Sequence, residues 1–275
     1  MDIKNYRHPF LFYALSTIIP WTLWFTAAYL SRMNHPGNMH VLGGSILGIA
    51  GLFAPMVIAF TMMNRNPELK KDLFRRLFRL NRVKPFYLFL TFFLMLASIL
   101  LAQGISLFFG FSADQFRFAR EFSFSYAIFP AWFMLLLSPA VEELAWHSYG
   151  TDSLRARFNL FTTSVIFAVY WALWHFPLSF IKDYYHSNLV EIGWIYSLNF
   201  YFSIIPLVIV MNWLYYKTER NILVIIIFHI TAGFFNEIFA THPFSKVIQT
   251  VLLIILAVFL IIREKDFFFN KEYTE

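Results

Sequence analysis

Two adjacent carboxylates, Glu142 and Glu143, end an apolar stretch that begins at Phe133. An ionisable side chain at membrane depth costs about 2.5 kcal/mol or more, so a neighbouring pair needs a reason. The other hydrophobic stretches of the chain are almost free of charge. The pair therefore indicates chemistry rather than packing.

Two histidines lie in later apolar stretches, at His175 and His229. Glu142 and His175 are about equally far from a turn near residues 157–159. At 1.5 Å per residue, both would lie roughly 20–26 Å along antiparallel helices, so they can face each other. Either histidine alone is as readily an interior packing residue, but three such helices in one small bundle favour a shared site.

The chemistry that this set supports is hydrolysis. A carboxylate and an imidazole can take a proton from water and return it to a leaving amine. The side chains of Glu142, His175 and His229 can equally hold a divalent metal such as zinc, with an open position for water. Cys is absent and no Ser lies in a Gly-x-Ser-x-Gly motif, so there is no rival nucleophile. The sequence leaves both forms of water activation open.

The composition indicates an integral membrane protein. The chain of 275 residues is 59% hydrophobic, 21% aromatic and 14% charged, against about 25% charged in soluble domains. Nucleic acid is not an expected partner; the lipid bilayer and a peptide or protein substrate are.

Eight stretches have about the length needed to cross a bilayer. They predict an all-α, polytopic bundle of about eight transmembrane helices in a single domain, 1–275, with a motif-bearing core at about 126–240. The predicted spans are 10–30, 41–63, 86–110, 126–147, 160–181, 192–214, 221–241 and 244–262. Only two of these spans contain acidic residues: the fourth contains Glu142 and Glu143, and the seventh contains Glu237. Glu237 is either a partner of the site or the water-exposed end of its span.

The basic residues in the segments between the spans predict the orientation of the chain in the membrane. Of the 22 Lys and Arg residues, 17 fall on the side that holds both termini and 5 on the other. The positive-inside rule then puts both termini in the cytoplasm, and we expect a bacterial cytoplasmic membrane. The first apolar run is longer than a signal peptide needs, so we interpret it as a retained helix.

A basic amphipathic segment follows the second span. Residues 68–80 place Leu69, Leu73, Leu77 and Leu80, with Phe74 and Phe78, on one face and the basic residues on the other. This pattern is typical of an interfacial helix on the cytoplasmic leaflet. A membrane anchor is the favoured interpretation, and a gate or substrate guide is the alternative.

Three motifs in chain order resemble those of the CPBP family of intramembrane proteases. They are Glu142-Glu143-Leu-Ala-Trp-His147, Trp171-Ala-Leu-Trp-His175 and Phe228-His229. The family pattern is Glu-Glu-x-x-x-Arg, Phe-x-x-x-His and His-x-x-x-Asn or Asp. The family includes CAAX prenyl endopeptidases and the bacteriocin-processing or self-immunity proteins of the Abi group.

The resemblance implies a role for each motif residue. Glu142 would activate water, with His175 as its partner in proton transfer, and Glu143 would be a second, orienting carboxylate. His229 would stabilise the oxyanion. Family members are commonly described as metalloproteases, in which case Glu142, His175 and His229 would be the ligands, but a metal-free glutamate mechanism is also proposed.

The chain departs from the family pattern at three positions. His147 replaces an arginine, which exchanges a permanent charge for one that titrates. Trp171 replaces a phenylalanine, a change that we expect to affect bulk but not character. Gly233 stands where the family has Asn or Asp, and Asn236, one turn further on, is a candidate substitute.

The leading hypothesis is an intramembrane endopeptidase that acts on a prenylated peptide, a leader peptide or a membrane protein. The alternative is a catalytically inactive membrane protein that confers bacteriocin self-immunity by binding, which the departures at His147 and Gly233 favour. A proton-coupled transporter is a third hypothesis, disfavoured because no repeat symmetry is visible.

Overall fold

A computed structural model describes residues 3–33, 38–78, 83–122 and 129–271. The described chain is helical, with connecting turns and no strand other than one isolated bridge. The helices are α1 Pro9–Ser31, α2 Asn38–Asn64, α3 Pro67–Phe78, α4 Pro85–Leu107, α5 Ala131–Ala145, α6 Thr151–Arg155, α7 Leu160–Trp174, α8 Tyr185–Ile192, α9 Trp194–Lys217, α10 Ile222–Ile238, α11 Pro243–Arg263 and α12 Lys265–Phe269.

Each of the eight predicted spans coincides with one of these helices, which confirms the predicted fold class. Six of the described helices are long and apolar enough to cross a membrane: α1, α2, α4, α9, α11, and α7 together with the turn that follows it. The two shorter ones, α5 and α10, are those that carry acidic residues. Residues 126–128 of the predicted fourth span lie outside the described residues.

The sequence fixes where the motif-bearing helices begin. Asn159 precedes α7 and accepts a hydrogen bond from the backbone N–H of Thr162 through its side chain, and Asn221 does the same for Val224 at the start of α10. Such caps satisfy N–H groups that have no partner within the helix. They set the axial positions of His175 and His229.

Helix α5 runs through a π-helical turn, Trp146–Gly150, directly into α6. Gly150 lies against α1, where an added Cβ would meet Phe12 Cε1 at 2.8 Å. A glycine is therefore needed for this close approach of the two helices. The wider turn also rotates His147 into the interior of the bundle, and π turns of this kind are frequent at functional sites.

The motif-bearing helices pack around a shared interior. Helix α10 packs against α4, α5 and α9, while α7 packs against α9 and α5 against α2. Large apolar side chains point outward from the outer helices, for example Phe89 and Phe93 on α4 and Ile255 on α11. Such an exterior suits a lipid environment and leaves the polar groups to the interior.

Helix α3 confirms the predicted amphipathic helix, but one part of the interpretation is wrong. Leu69 and Leu73 are buried against the bundle as expected, yet Phe74 is half-exposed and Arg76, placed on the outer basic face, is only 2% exposed. Arg76 tolerates burial because Asp152 is 2.8 Å away. The predicted contributions of Leu80 and the Phe78 side chain lie outside the described residues.

Arg76 belongs to a buried ion cluster that we define as Asp72, Arg76, Asp152 and Arg220. Arg220 Nη2 lies 2.9 Å from Asp72 Oδ2 and 2.6 Å from Asp152 Oδ2. Burial by itself would raise the pKa of Asp72, but Arg76 and Arg220 outweigh it and lower that pKa to about 2. The cluster joins α3, α6 and the turn before α10.

The ion cluster also forms hydrogen bonds to the backbone of the π-helical turn. Arg76 Nη1 donates to the carbonyl oxygen of His147 at 2.9 Å, and Arg76 Nη2 donates to that of Ser148 at 2.8 Å. Tyr215 donates a further hydrogen bond to the His147 carbonyl at 2.7 Å. Helix α3 thereby fixes the backbone at His147, whose side chain points into the interior of the bundle.

Candidate active site

Glu142 lies at the C-terminal end of α5, with its carboxylate facing an internal cavity. The indole Nε1 of Trp171 donates a hydrogen bond to Glu142 Oε2 at 2.9 Å. His175 Nε2 lies 4.0 Å from the same oxygen. The structure thus brings together the carboxylate and the imidazole that the sequence placed at equal depth.

The tautomer of His175 follows from its second ring nitrogen. His175 Nδ1 lies 2.7 Å from the carbonyl oxygen of Trp171, which can only accept a hydrogen bond, so Nδ1 carries the proton. In the neutral imidazole, Nε2 then presents a lone pair to the cavity. The 4.0 Å gap to Glu142 is too long for a direct hydrogen bond and suits a single bridging water.

Glu143 is fully buried and points away from Glu142, between two imidazoles. Its Oε1 lies 2.7 Å from His229 Nδ1, and its Oε2 contacts His147 Nδ1. Glu143 therefore links α5 to α10 and fixes the ring orientation of His229. This arrangement suits the orienting role that the resemblance implies for Glu143.

A chain of hydrogen bonds assigns the protons on His147. Ser164 Oγ donates to the carbonyl oxygen of Leu160, so it accepts from Asn212 Nδ2 at 2.9 Å. The other end of that amide, Asn212 Oδ1, then faces His147 Nε2 at 2.9 Å and must accept from it. Because His147 Nδ1 meets the Glu143 carboxylate as well, one further proton is shared in that contact.

These polar groups open onto a cavity of about 270 Å³ between α5, α7, α9, α10 and α11. Glu142, His175 and His229 line one region of it, and Glu237 and Lys246 line another. Lys246 Nζ lies 3.6 Å from Glu237 Oε1. The alternative that Glu237 is the water-exposed end of its span is wrong, since Glu237 is buried in the wall of this cavity.

Comparisons with known proteins show which family the chain belongs to. Residues 124–235 match the family model described as Type II CAAX prenyl endopeptidase Rce1-like. The chain is also 38% identical over 272 residues to CAAX prenyl protease 2 of Methanococcus maripaludis, an alignment that covers 98% of this chain and 99% of that protein. The chain belongs to the type II CAAX prenyl endopeptidase family.

Membership of the CAAX prenyl endopeptidase family confirms the resemblance drawn from the three motifs. It supports the general activity that was predicted, namely the cleavage of peptide bonds by a membrane protein. Residues 124–235 include all three motifs and the cavity-lining parts of α5, α7 and most of α10. Lys246 lies beyond the matched range.

One departure from the CAAX endopeptidase pattern has a polar consequence that was not expected. The Trp171 side chain was predicted to change bulk but not character, and this is wrong, because its indole N–H hydrogen-bonds to Glu142. A phenylalanine has no such donor. The sequence signal that could have revealed it is the spacing of Trp171 one helical turn before His175, on the same face.

Gly233 stands where the family has Asn or Asp, and the space around it beside the site is open. Gly233 lies one turn after His229 and lines the cavity, and a Cβ built there would meet only Leu135 Cδ2, at 3.7 Å. Asn236 lines the same cavity, but its Nδ2 donates to the carbonyl oxygen of Ala232 in its own helix. One N–H of the Asn236 amide is therefore engaged within its own helix.

The side chains proposed as metal ligands do not form a ready metal site. Within the described ranges, no three His, Cys, Asp or Glu side chains converge closely enough to hold a metal ion. The Nδ1 atoms of His175 and His229 hydrogen-bond to a carbonyl and a carboxylate, so Nε2 is the nitrogen of each ring that could bind a metal ion.

Proposed function

We propose that this protein is an intramembrane endopeptidase that hydrolyses a peptide bond with a water molecule held between Glu142 and His175. The observation that carries this proposal is the facing pair of acceptors, Glu142 Oε2 and His175 Nε2, 4.0 Å apart at a buried cavity. A water between two acceptors directs both its hydrogens to them. Its lone pairs then point into the cavity, toward a bound peptide.

In the first step Glu142 takes one proton from that water, and the oxygen attacks the scissile carbonyl carbon. The new C–O bond turns the carbonyl oxygen into an oxyanion. His229, with Nδ1 donating to Glu143, has its Nε2 available on the cavity side, and as an imidazolium it donates to the oxyanion. Glu143, flanked by His147 and His229, holds that imidazolium in place.

In the second step the tetrahedral intermediate collapses and the C–N bond breaks. Glu142 returns its proton to the leaving nitrogen, which departs as a neutral amine, and the other product is a carboxylic acid. His175 Nε2 accepts a hydrogen bond from the hydroxyl of the reacting oxygen throughout, and that proton stays on the carboxylic acid product. No covalent enzyme intermediate is needed.

The name of the related protein, CAAX prenyl protease 2, supports a prenylated substrate. We propose prenylated peptides cleaved near their C-terminus as the substrates of this chain. The apolar exterior and the internal position of the cavity suit a substrate with a lipid group. A non-prenylated leader peptide is the comparison substrate.

We further propose that both termini face the cytoplasm, as the distribution of 17 basic residues against 5 indicates. The ion cluster and the basic helix α3 then lie at the cytoplasmic surface. Accessibility labelling of cysteines introduced singly at Lys4 and at Arg120 tests this arrangement, because the chain has no native Cys.

The test of the function is hydrolysis of a fluorogenic farnesylated peptide by the purified protein. Glu142→Gln and His175→Ala should each reduce kcat by at least about a hundredfold, whereas the exposed Glu191→Gln, a matched control, should not. A parallel incubation with a chelator separates a metal-dependent reaction from one that uses the carboxylate alone. Undiminished cleavage by Glu142→Gln would refute the proposed mechanism.

The non-catalytic alternative predicts a different pattern. If this chain confers immunity by binding, the wild-type protein cleaves no peptide, and cells that express Glu142→Gln stay protected from a bacteriocin. The open space at Gly233 is the observation that favours this alternative. Cleavage by the wild type decides against it.

A further inference from the structure

A second, smaller cavity of about 100 Å³ adjoins the reacting pair, and the proposed mechanism does not use it. It is bounded by α1, α2, α5 and the segment from α7 to α8, whereas the larger cavity extends toward α9 and α11. Glu142 and His175 line both cavities. The two side chains that hold the reacting water are therefore reached from two directions.

His186, on α8, also lines both cavities. The residue is buried, and within the described part of the chain neither nitrogen of its ring has a hydrogen-bond partner. Buried polar groups are almost always hydrogen-bonded, and an imidazole carries at least one N–H donor. A partner for His186 must come from the cavities that the ring lines.

The neighbours of His186 hold its ring beside the reacting pair. The ring stacks on His175 with ring centres 5.2 Å apart, and the rings of Tyr184 and Phe200 pack against it at 5.6 Å and 4.5 Å. Two hydrogen bonds in series through one water molecule span roughly 5.5 Å. A water molecule bound to His186 is therefore within reach of His175 and its partner Glu142.

Water suits the second cavity better than a hydrocarbon chain. One carboxylate and two imidazoles, those of Glu142, His175 and His186, line it. An isoprenoid or acyl chain in this space would leave these groups against hydrocarbon, which is costly for polar side chains without partners. The volume of about 100 Å³ is enough for water molecules with several polar neighbours.

A bound peptide explains why a separate supply of water is useful. The substrate displaces water from the larger cavity, yet each hydrolysed bond consumes one water molecule. Water in the second cavity reaches Glu142 and His175 without passing the peptide. The two cavities then divide the two reactants between them.

We propose that the second cavity binds the water that the reaction consumes and that His186 is a positioning residue that holds this water beside Glu142 and His175. This inference rests on the proposed endopeptidase function. It adds a site for the second reactant and a residue outside the three motifs.

Gly48 provides a way to fill the second cavity. It lines that cavity from α2, and a Cβ added there meets no described atom within 4 Å. Gly48→Leu should therefore occupy the space of the water. The same change at Gly104, an equally open position on α4 outside both cavities, is the matched control.

The first measurement is hydrolysis of the fluorogenic farnesylated peptide. Gly48→Leu and His186→Phe should each lower kcat about tenfold or more, because the water loses its place or its hydrogen bond. KM should change less than about twofold, since neither variant removes a group proposed to bind the peptide. Gly104→Leu should keep the wild-type values of both, and full kcat in Gly48→Leu would overturn the inference.

A pair of substitutions at His186 separates hydrogen bonding from packing. His186→Phe keeps a ring that stacks on His175 but has no nitrogen, whereas His186→Gln loses the ring and keeps a hydrogen-bonding amide. We expect His186→Gln to retain at least about fivefold more kcat than His186→Phe. The opposite order would assign His186 a packing role and contradict the proposal.

Radiolytic labelling detects the water without any catalysis. A brief X-ray pulse converts bound water into hydroxyl radicals, which modify the side chains beside it. Trp24 and Trp174 are only 2% and 1% exposed but line the second cavity, so we expect both to be labelled in the wild type. Their labelling should fall at least about threefold in Gly48→Leu, where a side chain replaces water. Met211, fully buried outside both cavities, should stay unlabelled in both proteins.

The two measurements distinguish failure of this inference from failure of the proposed function. Unlabelled Trp24 and Trp174 in a protein that hydrolyses the peptide would mean a dry cavity, filled by lipid or by packing, and would overturn the inference alone. Labelled tryptophans in a protein that cleaves no peptide would refute the endopeptidase and leave only a hydrated cavity.

Discussion

Asn212 Oδ1 accepts a hydrogen bond from His147 Nε2 at 2.9 Å. His147 Nδ1 meets the Glu143 carboxylate at the same time, so both ring nitrogens are engaged and an imidazolium satisfies every contact. Arginine stands at this position in the family pattern, where it supplies a permanent positive charge. His147 occupies that position in this chain, with the Glu143 carboxylate against one ring nitrogen and Asn212 Oδ1 against the other.

This exchange predicts that an arginine can replace His147. His147→Arg should keep activity within about threefold of the wild type, because the guanidinium supplies a positive charge at the same position. The kcat/KM of the two proteins for the farnesylated peptide at pH 7 checks this prediction.

Three neighbouring groups surround His147. Glu143, the Tyr215 ring and the guanidinium of Arg76 all face His147 or its backbone. His147→Gln, which keeps a polar side chain without a charge, should lose at least about tenfold in kcat at pH 7. Wild-type activity in the Gln variant would show that the charge is not needed.

Trp171→Phe restores the family residue, and we nevertheless expect it to reduce activity. The phenylalanine cannot donate to Glu142, and the lost bond to a charged group is worth about 1.5–3 kcal/mol, or about tenfold or more in kcat. Trp213→Phe is a matched control, because the Trp213 indole also donates to a glutamate, Glu264, at 3.0 Å and lies outside the cavity. A kcat that falls equally in both variants would contradict a specific role for Trp171.

Gly233→Asn is expected to increase activity. An added Cβ has only an ordinary contact at 3.7 Å, so the amide can extend into the cavity one turn from His229. A donor to the oxyanion is commonly worth a hundredfold or more in kcat, and we expect a gain of about tenfold or more. Gly233→Ala adds the Cβ without the donor, and an equal gain there would show that the amide is not responsible.

The sequence was sufficient to predict the eight spans, the amphipathic helix α3 and the family. Long apolar runs and a basic amphipathic pattern are local signals, so they can be recognised without any knowledge of tertiary contacts. The pairing of Glu142 with His175 also followed, since depth in a membrane can be counted along a helix. All of these predictions depend only on the spacing of residues along the chain.

The features that were missed depend on contacts between distant segments. Arg76 was expected on the outer basic face of its helix; its partner Asp152 comes from much later in the chain. Likewise, Asn212 on α9 gave no sequence signal that it would meet His147. Such contacts are set by helix rotation and packing, which periodicity alone does not determine.

The ion cluster predicts a pH-dependent stability. The pKa of Asp72 is lowered to about 2 in the folded protein, against about 3.9 when it is unfolded. Because the folded pKa is the lower one, the stabilisation is fully present above about pH 5 and is lost as the pH falls toward 2. Its size at neutral pH is on the order of 2 kcal/mol.

Asp72→Asn should therefore lower the thermal denaturation midpoint in detergent at pH 7, and the difference from the wild type should shrink between pH 4 and pH 2, where Asp72 of the wild type is itself protonated. Asp114→Asn, at an exposed pair with Arg117, is the control and should change the midpoint little. Since Arg76 holds the His147 carbonyl, Asp72→Asn should also lower kcat at pH 7. A variant with a normal midpoint at pH 7 would show that Asp152 alone compensates both arginines.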